Sequence, residues 1–283
     1  MFGKLVKYEL KATARVIPIA FAVTILLSFF QLFASKYMGS TVTNLFWFFS
    51  VLALVIQFML VWVILIVRYY KSLHGSEAYL SHTLPVDGIS LFFSKYLVSM
   101  AWVLASFVII AGMLTLLISN AAFAEGLTFE VVSEAIEEGL LFLGINMSFP
   151  SFLLFVFGIL LFTCASNLAV IYTVITIGSS TRLGSLGIGG PVISYIIYYV
   201  GMQIINVVTM FAVPIGLKLI PGDPTISQPG RIEFGLGSFW ESVISSNAAE
   251  AFIPIGSYLI SILIFAACMF LAPYFVRKKV NLR

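Results

Sequence analysis

His74, Glu77 and His82 fall within one short stretch, and they are the first place to look for chemistry, because the chain has just two histidines. Imidazole and carboxylate groups this close could ligate a metal, but the spacing fits no known ligand pattern, and no metal site is expected. Cys164 and Cys268 both lie in apolar runs, so neither a disulfide framework nor a CxxC redox pair is expected. No GxSxG nucleophile elbow and no HExxH zinc motif occurs. The phosphate-cradling GxxxxGK[ST] loop is missing as well, since the one Gly-Lys pair, Gly3-Lys4, stands in the wrong context. These residues predict a chain with no catalytic centre and no cofactor of its own.

Neutral polar groups are the next candidates. Gln57 stands at the centre of an apolar run. Thr163, Ser166 and Asn167 recur at i, i+3 and i+4, which places them on one helix face, and Gln203 and Asn206 do the same in a later run. Such groups can bond helix to helix, worth about 0.6 kcal/mol per bond in a membrane. Alternatively they form a polar stripe along a substrate path. Both readings are open from these residues alone.

The elements that must hold these groups follow from composition. Of 283 residues 61% are hydrophobic and 10% charged, with 27 Phe, and the mean hydropathy is +1.09. A soluble domain carries about 25% charged residues, so this chain needs an apolar solvent. A hydrocarbon core about 30 Å thick requires roughly 20 apolar residues per spanning helix. The clearest run is Phe46–Val67, with 16 Leu, Ile, Val or Phe among 22 residues. Five more read as Val16–Phe33, Leu97–Ile118, Phe152–Ile177, Val192–Leu219 and Phe252–Val276. The runs are continuous rather than alternating, which excludes a β-barrel. The expected fold is an all-α integral membrane protein with six transmembrane helices in a single domain over 1–283. The first run exceeds a normal signal-peptide core and is followed by no convincing small-x-small site, so it reads as a retained helix.

Charge sets the expected orientation. With the N-terminus cytoplasmic, twelve of the fifteen Lys and Arg fall inside, leaving Lys36, Lys218 and Arg231 outside. That bias over short loops places both termini in the cytoplasm. The cores of the runs hold no Asp, Glu, Lys, Arg or His. Ion-coupled carriers and proton channels place ionisable groups there, so energy for any transport has to come from elsewhere. Outside, Phe129–Leu143 carries Glu130, Glu134, Glu137 and Glu138 opposite Val131, Val132, Ile136 and Leu140, which predicts an amphipathic helix on the membrane surface or capping the bundle.

The cytoplasmic connection 68–96 is the most telling. Ser76 is a good N-cap, Glu77 then sits at the positive helix end, and Pro85 blocks continuation. A helix of about two turns is too short to be stable alone. On it Tyr79, Leu80 and Leu84 form an apolar patch, which suits either a partner protein or the lipid headgroups.

The stretch GSEAYLSHTLPV in this connection, together with KLVKYELKATAR before the first run, resembles bacterial ATP-binding-cassette permeases of the type-2 exporter family. The six-helix layout agrees. The resemblance implies that Ser76–Leu84 (Ser76, Glu77, Tyr79, Leu80 and Leu84 above all) is the coupling helix docking in a separate ATPase subunit. It implies that Phe2–Arg15 is an amphipathic elbow at the cytoplasmic interface. ATP and Mg would then sit on the partner ATPase, which accounts for the missing phosphate loop. A second permease subunit, identical or paralogous, is expected beside this one, with both in the lipid bilayer of the bacterial cytoplasmic membrane and no nucleic acid involved. The expected function is an exporter permease moving a substrate such as a peptide, drug or lipid. The rival readings are a membrane scaffold or sensor that binds a cytoplasmic partner without transport and, more weakly, a facilitative channel.

Overall fold

The structure, a computed structural model, describes residues 2–75, 78–79, 86–124, 128–180, 182–212, 215–220, 231–236 and 251–278. In chain order the helices are α1 (Phe2–Thr13), α2 (Ile17–Tyr37), α3 (Ser40–Leu73), α4 (Gly88–Ala124), α5 (Phe129–Phe142), α6 (Phe149–Ser180), α7 (Gly189–Ala212) and α8 (Ile255–Lys278). Three short strands precede α8: β1 (Ile215–Ile220), β2 (Arg231–Leu236) and β3 (Ala251–Pro254). Six helices, α2, α3, α4, α6, α7 and α8, are long and apolar enough to cross a membrane. The membrane-spanning part is all-α, as the apolar runs predict.

Two boundaries differ from the hydropathy reading, each for a physical reason. The helices outrun the apolar runs: α3 has 34 residues, about 51 Å at 1.5 Å per residue, against a hydrocarbon core of about 30 Å. Hydropathy sees only the part that lipid must cover. The fifth span corrects the expected Val192–Leu219, because α7 ends at Ala212 and β1 begins at Ile215. Pro214 stands two residues after Ala212 in the sequence, and helices usually end at or before the residue preceding a proline. Beyond it the chain forms an antiparallel sheet in the order β2-β1-β3, with Ile215 opposite Leu236, Ile220 opposite Arg231 and Gly216 opposite Pro254.

Packing divides the chain into two compact units: Met1–Leu127 with Asn167–Val192 and Met269–Arg283, and Thr128–Ser166 with Ile193–Cys268. In the first, α2 and α3 form a tight hairpin across Met38 and Gly39. The Met38 amide closes α2 on the Ala34 carbonyl, and Thr43 Oγ1 from α3 donates to the same oxygen at 3.1 Å. The buried face of α2 reads Ile17, Phe21, Thr24, Ser28, Gln31, Ala34. That of α3 includes Ser50, Leu54, Gln57, Val61, Leu65, Tyr69. Steps of three and four make each a single helix face. Both faces are rich in small and polar residues, as helix contacts in lipid are, because apolar burial alone gives no drive there. At the far end of this unit Gly88 starts α4 against the backbone of Arg277, where an added Cβ would come within 3.1 Å.

In the second unit α5 is the amphipathic helix that the four glutamates predict. Glu137 Oε1 accepts the Phe149 amide at 2.6 Å, so one of these carboxylates caps the first turn of α6 and meets its positive dipole end. Phe129 and Phe149 pack edge to face beside it, 5.7 Å between centroids.

Candidate functional site

The first unit contains a string of buried polar contacts that begins on α1. Leu5, Val6, Glu9, Ala12 and Thr13 are its covered or half-covered positions, so helical periodicity carries the lone carboxylate of this segment into the packed face. Glu9 Oε2 accepts Lys95 Nζ of α4 at 2.8 Å, and its Oε1 accepts Arg68 Nε of α3 at 3.4 Å. Lys95 is only 5% exposed. An ammonium so covered costs several kcal/mol unless it is paired, and here a charge-assisted bond does the pairing. One turn further along α1, Thr13 Oγ1 accepts the Trp102 indole N–H at 2.7 Å.

Deeper along α4, Ser99 shares a hydrogen bond with the Tyr172 hydroxyl of α6 at 2.5 Å. The Tyr172 ring lies flat on Tyr69 of α3, 3.8 Å between centroids and 9° between planes. The Tyr69 hydroxyl in turn meets Thr176 Oγ1 at 2.8 Å. Twelve residues back along α3, about 18 Å along the axis, Gln57 bridges three helices. Its Oε1 accepts Thr24 Oγ1 of α2 at 2.5 Å, and its Nε2 donates to Ser106 Oγ of α4 at 3.2 Å.

These contacts link α1, α2, α3, α4 and α6. Among the described residues no group of three or more His, Cys, Asp and Glu stands close enough to hold a metal. The string runs from an ionic cluster at the helix ends to an amide in mid-span.

The other residues singled out in the sequence fall in different places. Gln57 is 1% exposed and bonded to Thr24 and Ser106. Thr163, Asn167 and Gln203 are exposed on their helices, and Ser166 and Asn206 are half-covered. Tyr79 is 68% exposed, next to Ala78, whose amide donates to the Gly75 carbonyl at 3.0 Å. Ser76, Glu77, Leu80 and Leu84, like His82, lie outside the described residues.

No family model, curated protein or solved structure matches this chain.

The ionic cluster itself was not legible as a site, although one signal for it existed. Glu9 is the sole acid in a basic segment and shares a helical stripe with Leu5 and Ala12. Lys95 and the paired tyrosines gave no such signal, because their partners are brought from distant spans. Asp87 and Arg277 approach to 3.7 Å, so the last turn of α8, the start of α4 and α1 all meet at one end of the first unit.

Proposed function

We propose that this chain is the membrane permease subunit of an ATP-driven exporter, with the nucleotide site on a separate subunit. The observation that supports the reading is that Glu9 bonds both Arg68, near the end of α3, and Lys95, near the start of α4. Asp87, just before α4, also meets Arg277 of α8, and residues 74–87 are the sequence that connects these two tied helices. A partner pushing on such a segment moves two spanning helices that are already coupled by Lys95, Arg68 and the tyrosine pair. Its sequence, GSEAYLSHTLPV, supplies the cap, terminator and apolar patch of a docking helix, and Tyr79 is open to a partner.

The amides of α7 support the same reading. Gln203 is exposed and Asn206 half-covered, and a polar group facing lipid in mid-span is unfavourable. A second permease subunit or a substrate would supply the missing polar surface. The assembly proposed is two permeases with two ATPases, in a cytoplasmic membrane, with α1 as an interfacial elbow and both termini on the ATPase side. Sidedness is checked with single cysteines in a Cys164→Ser/Cys268→Ser background. An impermeant thiol reagent added to intact cells should label Glu134→Cys and spare Lys279→Cys, and the opposite pattern would reverse the orientation. The subunit assignment is checked by co-purification: an ATPase should accompany the tagged chain and turn over faster when substrate is added. A chain that binds a cytoplasmic partner but moves nothing in vesicles would be the scaffold instead.

A further inference from the structure

The contacts of Glu9 have a second consequence, on the opposite side of α1. Residues 2–15 hold four basic side chains, Lys4, Lys7, Lys11 and Arg15, and one acid. That acid is drawn inward to Lys95 and Arg68. Lys4, Lys7 and Lys11, spaced by three and four residues, are all exposed and share one helix face. The outer face therefore presents three positive charges that no carboxylate of its own helix offsets, and Arg15 continues the run in the turn that follows.

The level of α1 is fixed by its inner contacts. Glu9 meets Lys95 and Thr13 meets Trp102, which bracket the point where α4 becomes continuously apolar at Leu97. Tryptophan and lysine side chains favour that boundary. Lys11 stands six residues before Ile17, the first residue of a spanning helix, with only residues 14–16 between the two helices. A basic face joined this closely to a spanning helix lies near the leaflet surface, where anionic lipid attracts Lys and Arg. Tyr8 and Leu10 flank the lysine face and are exposed, at 71% and 43%, as side chains that settle among headgroups would be.

We propose that the Lys4–Lys7–Lys11 face of α1 is a docking surface for anionic phospholipid headgroups. Glu9 orients it: by pairing inward, it removes the one negative charge of the helix and points the lysines outward. The bilayer is the anionic partner always present at this distance, which favours it over a soluble acidic protein. The inference does not rest on the exporter reading and needs neither ATPase nor substrate.

The test uses the full chain in nanodiscs, with an environment-sensitive fluorophore on Tyr8→Cys in the Cys164→Ser/Cys268→Ser background. Phosphatidylcholine discs are compared with discs that also contain phosphatidylglycerol, at low and high salt. The probe should report a drier setting with phosphatidylglycerol at low salt, and salt should reverse the shift. Each lysine changed to Gln should lower the docked-to-lifted ratio by about fivefold, so Lys4→Gln/Lys7→Gln/Lys11→Gln should abolish the lipid response. The triple Lys→Arg variant should keep it, and Lys36→Gln, at the other end of α2, should not matter. A wild type indifferent to phosphatidylglycerol would overturn the proposal and leave the face to an acidic protein partner. A triple Gln variant that responds like wild type would overturn it too.

Discussion

The two units treat the same kind of side chain in opposite ways. Gln57, in the first, is 1% exposed and bonded to two other helices. Gln203, in the second, stands exposed on α7. The apolar window of α7 is only 6% buried, against 33% for α2. A mid-span amide with internal partners bonds one helix to another, whereas one on an open helix face has no such cover from its neighbours. The difference teaches that polarity in a span does not mark a transport path by itself. On the proposed permease reading, the better candidate for a path is polarity that the chain's own packing leaves uncovered.

Substitutions can break that comparison. The largest effect should come from Glu9→Gln, which removes the carboxylate paired with the covered Lys95 and with Arg68 and should lower stability by about 3 kcal/mol. Thermal unfolding in detergent reads this, and Glu9→Lys combined with Lys95→Glu should recover part of the loss. Wild-type unfolding of Glu9→Gln would show that the ionic cluster holds nothing. Next comes Gln57→Leu, expected to lose about 1 kcal/mol, the sum of two membrane hydrogen bonds, while transport persists. Gln203→Leu with Asn206→Leu should have the smallest effect on stability, near zero, yet reduce transport. If the pair instead unfolds early and transports normally, the contrast between the units disappears.

Much of this architecture was readable from the residues. Long apolar runs announce six spanning helices because lipid demands them, and the four glutamates opposite Val131, Val132 and Ile136 announce α5. The ends of the helices were not readable. Residues such as Tyr69, Leu73 and Gly88 extend helices beyond the hydrocarbon, where hydropathy carries no signal. The β1–β3 sheet was missed for a related reason: Ile215–Ile220 continues an apolar run, and a short apolar stretch fits a strand or a helix end equally well. Within the candidate site, the polar type of Gln57 was evident but its partners Thr24 and Ser106 were not. Spacing within a helix shows which residues share a face, and cannot show which helix that face meets.

The central claim is that residues 74–87 carry force from a separate ATPase into α3 and α4. Burying Leu80 and Leu84 in a partner groove would contribute about 1.5 to 3 kcal/mol each, and Glu77 would add a charge-assisted bond. The direct measurement is recovery of the ATPase on tagged chain carrying Leu80→Asp or Glu77→Ala, beside transport in vesicles. Leu80→Asp should lose the ATPase, because a charge replaces an apolar contact. Glu77→Ala should keep it but yield ATP turnover that no longer responds to substrate. If both variants retain the ATPase and transport like wild type, the segment is a plain linker and the account of coupling is wrong.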